Sequence, residues 1–113
     1  ERATGADPRN ADAWNGLGWS RFNQGMPVNA EEAFKKCLDL KPDHPAALNG
    51  LGWISKNRGD RQAAIQYWDQ AVRAAPQATA ALRGLALTYK ESGDNAMAAK
   101  CFQMWLDAEP YNA

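Results

Sequence analysis

The sequence repeats itself with a period of 34 residues. The pentapeptide NGLGW occupies residues 15–19 and again residues 49–53, and a weaker copy, RGLAL, begins at Arg83. The register extends beyond these five residues, because columns of matching chemistry run through three successive units without a gap. The columns are Trp14/Leu48/Leu82, Leu17/Leu51/Leu85, Gly18/Gly52/Ala86, Gly25/Gly59/Gly93, Ala30/Ala64/Ala98, Phe34/Trp68/Phe102 and Pro42/Pro76/Pro110. Such a period is typical of arrays in which each unit buries its apolar face against its neighbours.

This pattern resembles the tetratricopeptide repeat, in which a large residue, Leu and Gly are followed by Ala, an aromatic residue and Pro over 34 residues. The resemblance implies an all-α fold, a right-handed superhelical array of helix-turn-helix repeats, or α-solenoid. Repeat one then spans 11–44, repeat two 45–78 and repeat three 79–112. Residues 1–10 match the end of a preceding repeat, which predicts one solenoid domain excised from a longer protein.

The column Gly25/Gly59/Gly93 divides each repeat into two helices. First helices are predicted at 11–24, 45–58 and 79–92, and second helices at 28–40, 61–74 and 95–108. The candidate N-caps are Asn10, Thr79, and Asp43 or His44 for the first helices, and Asp60 and Asp94 for the second. The second helix of repeat one begins either with Pro27 in its first turn or with a capping box of Asn29 and Glu32.

Glycine inside a helix costs about 1 kcal/mol relative to alanine, so the repeated pentapeptide requires a reason. At about 100° per residue, Gly18 and Gly52 share an arc with the leucine column that faces the second helix. We expect them to meet the alanine column there, so that the backbones approach closely. Gly16, Gly50 and Gly84 point the other way. In arrays that resemble this one, first helices line the concave surface, so these glycines are expected on its wall.

The concave surface is the candidate binding site, because tryptophan and asparagine beside exposed backbone suit an extended peptide or a partner helix. The candidate residues are Asn15, Trp19, Phe22, Asn49, Trp53, Lys56, Arg83, Leu87 and Lys90. In the alternative, the tryptophans and Leu87 pack between first helices, and the asparagines are ordinary solvated surface. The family's carboxylate clamp needs charges and amides where this chain has Asn15, Trp19, Gly50 and Gly84, so chaperone-tail binding is not expected.

Composition and motifs argue against other classes of function. Thirteen basic and thirteen acidic side chains cancel, whereas nucleic-acid readers usually carry a clustered basic excess, so no nucleic-acid partner is predicted. No stretch approaches the ~18 apolar residues of a membrane span. No nucleophile with a nearby base and no phosphate loop is present, so neither catalytic residues nor cofactors are predicted. His44 is expected to be a solvated loop residue rather than a metal ligand, and no metal site is predicted.

The two cysteines are predicted to be unpaired. Cys37, expected to be buried, and Cys101 lie two repeats apart, beyond the ~7 Å limit between α-carbons of a disulfide. Unpaired thiols slightly favour a cytoplasmic over a periplasmic location. Partly uncovered apolar surface around Trp14 and Leu17 predicts end-to-end self-association. The large Trp105 in an otherwise small column indicates that the array stops or changes partner after repeat three. Two functions remain open: a protein-interaction scaffold that binds a protein or peptide ligand on the concave face, or a structural spacer or self-association unit.

Overall fold

The computed structural model describes residues 8–76 and 79–109, and within these ranges the chain is entirely helical apart from turns. The helices are α1 (Pro8–Asn23), α2 (Pro27–Leu40), α3 (Pro45–Asn57), α4 (Arg61–Ala74), α5 (Thr79–Glu91) and α6 (Asn95–Ala108). They pair as α1/α2, α3/α4 and α5/α6, one pair to each predicted repeat. The all-α helix-turn-helix array is therefore confirmed. The matching of residues 1–7 to a preceding repeat lies outside the described residues.

The helices begin where the predicted signals stand, with three exceptions, one of which is Thr79, the first residue of α5 rather than its cap. The side-chain caps are His44, Asp60 and Asp94, which accept hydrogen bonds from the backbone N–H groups of Ala47 (3.4 Å), Ala63 (3.0 Å) and Met97 (3.2 Å). Pro27 opens α2, so the capping box at Asn29 is wrong because that residue lies inside the helix. Asn10 is likewise not a cap, because α1 begins at Pro8.

Each first helix is followed, two residues after its last residue, by a glycine with positive φ. The φ angles are 78° at Gly25, 86° at Gly59 and 85° at Gly93. Side chains rarely adopt this left-handed conformation, and glycine adopts it without a steric penalty. The glycine column therefore sets the sharp turn that folds each second helix back on its partner.

The second glycine of the repeated pentapeptide packs against an aromatic ring. A Cβ atom on Gly18 would lie 2.5 Å from the ring of Phe34, and one on Gly52 would lie 2.6 Å from Nε1 of Trp68. The atoms nearest to an added Cβ therefore belong to the aromatic column rather than to the alanine column named in the prediction. A missing side chain on the first helix instead makes room for the aromatic residue of the same repeat.

The first glycine of the pentapeptide packs against the preceding repeat. A Cβ atom on Gly50 would overlap the ring of Phe34, and one on Gly84 would overlap Trp68. Both glycines are buried, so the expectation that they form the wall of the concave surface is wrong. Each aromatic ring consequently lies between a glycine of its own repeat and a glycine of the next.

The core consists of two hydrophobic clusters, one around Phe34 and one around Trp68. Both rings are fully buried, as are Ala30 and Ala64 of the alanine column. Each second helix contacts the first helix of the following repeat, α2 with α3 and α4 with α5. The aromatic rings fill these two junctions, so the repeats are joined by the same side chains that fill their interiors.

His44 connects repeat one to repeat two, which corrects its prediction as a solvated loop residue. Its side chain is buried, with 8% of the residue exposed. Nδ1 accepts the Ala47 N–H, so in the neutral ring the hydrogen is on Nε2, which donates to Asp12 Oδ1 at 2.9 Å. This hydrogen bond joins the N-terminal part of α1 to the start of α3.

The two cysteines are buried and free, which confirms the predicted burial of Cys37. Burial, together with the Asp12 carboxylate, raises the pKa of the Cys37 thiol to about 11 from its ordinary 9.0. Burial also raises the pKa of the Cys101 thiol. The thiolate is the reactive form of cysteine, so both residues are protected chemically as well as sterically.

We expect both thiols to react with Ellman's reagent at pH 8 at least about tenfold more slowly in the folded chain than in guanidinium. Because the folded pKa of Cys37 is raised, its contribution to stability is complete below pH 9 and declines as the pH approaches 11. Stopped-flow absorbance gives the rates. Rapid reaction of one equivalent in the native protein would contradict the burial of one of the two thiols.

Candidate functional site

The three first helices lie side by side. α1 contacts α3, and α3 contacts α5. Each second helix contacts the next repeat chiefly at the first helix of that repeat. We call the exposed surface that the candidate binding residues form on α1, α3 and α5 the inner face. The candidate binding residues all belong to these three helices and are all at least partly exposed. Those residues are Asn15, Trp19, Phe22, Asn49, Trp53, Lys56, Arg83, Leu87 and Lys90.

Two partly exposed tryptophans, Trp19 and Trp53, pack against the buried aromatic rings of the second helices. The Trp19 ring makes an edge-to-face contact with Phe34, with centroids 5.4 Å apart, and a second with Phe22 at 5.6 Å. Trp53 contacts Trp68 in the same way at 5.1 Å. Both tryptophans thus pack on an aromatic ring of the second helix of their own repeat. The packing alternative places them between first helices. The contacts fix the orientation of each ring while part of it remains accessible to solvent.

The two asparagines of the pentapeptide occupy different environments. Asn49 Oδ1 accepts a hydrogen bond of 2.8 Å from Trp68 Nε1. The equivalent Oδ1 of Asn15 is buried, and it has no hydrogen-bond partner in the part of the chain that the structure describes. The reason is the aromatic column, since Phe34 has no N–H group to donate. Asn49 is therefore more than solvated surface, and the pairing of Asn with Trp in repeat two was a sequence signal for it.

Positive charge is concentrated at the repeat-three end of the inner face. Lys56 of α3 forms an ion pair with Glu91 of α5, with 3.0 Å between Nζ and Oε1. Arg83 and Lys90 are exposed, and neither forms an ion pair with another described residue. This end of the face can therefore attract a carboxylate.

A shallow apolar groove that sequence reasoning missed lies between the starts of α3 and α5. Its volume is about 310 Å³. The groove is lined by His44, Pro45, Ala46, Asn49, Ala80 and Ala81. The available signal was the alanine pair at 46–47 and 80–81, because small side chains leave space between neighbouring helices.

In residues 8–76 and 79–109 no group of three or more His, Cys, Asp and Glu side chains could hold a metal ion. None of the helices described above is both long and apolar enough to cross a membrane.

A helical-repeat array of this kind defines a class of proteins, the tetratricopeptide repeat proteins. The family model described as the Cilia and flagella-associated protein 70 middle TPR-like domain matches residues 1–106. Because this match covers most of the sequence, the chain belongs to that family of TPR-like domains. Curated protein sequences give no significant match.

Solved TPR structures have the same fold. The first TPR of Spaghetti (RPAP3), bound to the HSP90 peptide SRMEEVD, is 20% identical with a TM-score of 0.87 over 95% of this chain and 87% of that one. The Sgt2 TPR domain from Aspergillus fumigatus is 17% identical, with a TM-score of 0.84 over 98% and 74% of the two chains. MamA is 24% identical, with a TM-score of 0.83 over 92% of this chain.

The chain spans 61% of the length of MamA. At these identities the likeness to solved structures shows the fold alone. Membership of the TPR-like family supports a general role in protein interaction.

Proposed function

We propose that this chain binds a peptide or a segment of a partner protein on the inner face of α1, α3 and α5. The observation that carries the proposal is the pair of partly exposed tryptophans, Trp19 and Trp53, held edge-on against buried rings. Aromatic side chains that are already fixed lose little entropy when a ligand covers them, and such residues dominate many interfaces. The HSP90 peptide on the Spaghetti TPR supports a peptide as the class of ligand.

Asn49 is suited to hold the backbone of that ligand. The Trp68 N–H can only donate, so it fixes the carbonyl oxygen of the Asn49 amide towards the core. The amide nitrogen then retains two donors for a peptide carbonyl. Because Asn49 also borders the apolar groove between α3 and α5, the same stretch of ligand can place an apolar side chain there.

The charges favour an acidic residue in the ligand. Arg83 and Lys90 are exposed on α5, while Lys56 is engaged with Glu91. Apolar side chains of the ligand would cover the Trp19, Trp53 and Leu87 portion, and a carboxylate would lie towards repeat three. This arrangement differs from a carboxylate clamp, because Trp19 and Trp53 supply the main ligand surface of repeats one and two.

An array of immobilised heptapeptides with systematically varied acidic and apolar positions tests this proposal. We expect the fluorescein-labelled chain to bind peptides that combine apolar residues with a terminal acidic residue. The double variant Arg83→Glu/Lys90→Glu should weaken that binding about tenfold, because it replaces two attractive charge contacts by repulsive ones. Fluorescence polarisation with the best peptide in solution measures the change.

The matched control is Arg61→Glu, which reverses an exposed charge at the start of a second helix. Its affinity for the peptide should equal that of the unmodified chain. Equal losses in the control and the double variant would mean that net charge, not the inner face, attracts the peptide. Absence of binding across the array would refute the proposal.

A further inference from the structure

The two ends of the described array have surfaces that are complementary in chemistry. Inside the array, a ring on each second helix lies over a glycine of the next first helix, Phe34 over Gly50 and Trp68 over Gly84. The glycine of the same column in repeat one is Gly16, and no atom of another described helix lies within 4 Å of a Cβ atom added there. The ring of the same column in repeat three is Phe102, which is only partly buried.

The exposed glycine belongs to a longer stripe on α1. Its members follow the spacing of one helix face, and all four are exposed, namely Ala13, Gly16, Leu17 and Ser20. The residues of the same columns in repeats two and three are all buried, namely Ala47, Gly50, Leu51 and Ile54, and Ala81, Gly84, Leu85 and Thr88. We call the four residues of α1 the α1 stripe. It has the composition of a helix face that receives a second helix.

The exposed ring belongs to an apolar surface on α6. Trp105 stacks on Phe102 with centroids 6.2 Å apart and planes inclined by 16°. Leu106, which is 59% exposed, shares its column with the buried Val72 of α4. These three residues, which we call the α6 face, line an open groove of about 300 Å³ together with Glu109.

We propose that the α6 face of one copy of this chain receives the α1 stripe of a second copy, with the Phe102 ring over Gly16. The register is the one already used twice within the chain, so a second copy supplies a matching surface. Repeat three differs in one respect, because the buried Ala86 stands where repeats one and two have Gly18 and Gly52. Two different surfaces meet, so the contact is heterologous and leads to head-to-tail chains of copies. Ser20 replaces the apolar Ile54 of its column, and the contact is small, so the association should be weak.

Sedimentation velocity on a concentration series of the 113-residue chain tests the proposal. The unmodified chain should form species larger than a dimer as its concentration rises. Gly16→Glu and Leu106→Glu should each abolish association, because each introduces a charge into one of the two surfaces. Both positions are exposed, so both variants should retain the helix content of the parent by circular dichroism.

An equimolar mixture of the two variants should form a dimer and no larger species. Gly16→Glu retains an intact α6 face, Leu106→Glu retains an intact α1 stripe, and the other two ends are blocked. Val28→Glu, at an exposed apolar residue of α2, is the matched control and should associate as the parent does. A parent that stays monomeric at millimolar concentration, single variants that still self-associate, or a mixture that does not pair would each overturn the proposal.

Discussion

Gly50→Leu should unfold the array or destabilise it severely, whereas Gly16→Leu, 34 residues earlier, should leave it as stable as before or more so. The Cβ atom alone at Gly50 would overlap the ring of Phe34. That ring is fully buried and has Gly18 at its other side, so it cannot move away. Extra methylenes in a packed core cost about 1–3 kcal/mol or more, out of a total stability of roughly 5–15 kcal/mol.

At Gly16 the same side chain meets open space, and leucine favours the helix over glycine by roughly 1 kcal/mol. Urea denaturation followed by circular dichroism, at a concentration low enough to avoid association, measures both variants. Gly84→Leu should behave as Gly50→Leu does, because its added Cβ would overlap the ring of Trp68. Equal urea midpoints for Gly50→Leu and Gly16→Leu would show that the aromatic rings do not lie between the repeats.

Trp68→Ala should lower the free energy of unfolding by about 3–5 kcal/mol. Trp68 is the largest of the fully buried side chains among the described residues, and its ring fills the space between Gly52 and Gly84. Removing it leaves a cavity that spans two repeats. Trp105→Ala on α6 is the matched control, and its cost should be smaller because that ring is partly exposed.

Trp68→Phe separates the hydrogen bond from the packing of the ring. Phenylalanine is the natural residue of this column in repeat one, but it cannot donate to Asn49 Oδ1. Leaving that acceptor unpaired should cost about 1–3 kcal/mol. A double-mutant cycle with Asn49→Ala should give a coupling of at least about 0.5 kcal/mol. Strict additivity of the two variants would mean that the indole and the amide do not interact.

The helices and turns could be predicted because their causes are local. A glycine that must adopt positive φ, such as Gly59, or an aspartate that caps its own helix, such as Asp60, acts within a few residues of its position. The 34-residue period then repeats each local signal three times. Helix bounds consequently agree to within three residues at every end.

The partners of the glycines could not be predicted, because they depend on a third helix. A helical wheel gives the direction of Gly50 relative to its own repeat, and that direction correctly separates it from Gly52. It does not show that α2 of the preceding repeat occupies the space in that direction. His44 was misjudged for the same reason, since its partner Asp12 lies 32 residues earlier in the chain.

The same distinction applies to the candidate site: properties set by one helix could be predicted, and those set by contacts between helices could not. Exposure of Arg83 and Lys90 follows from their positions on one helix, and the structure has both exposed. The hydrogen bond that engages Asn49 and the groove beside Ala80 arise from the distance between helices, which no single repeat contains. The contribution of these residues to binding stays a prediction.

Because Phe34 and Trp68 each belong to two repeats, no repeat has a complete interior of its own. Opening α1 and α2 would remove Phe34 from Gly50 and leave one side of α3 without a neighbour. We therefore expect strong coupling between adjacent repeats, and strong coupling between neighbours suppresses partly folded states in a one-dimensional array. Such a chain should melt in a single cooperative transition, although its contacts are confined to neighbours along the sequence.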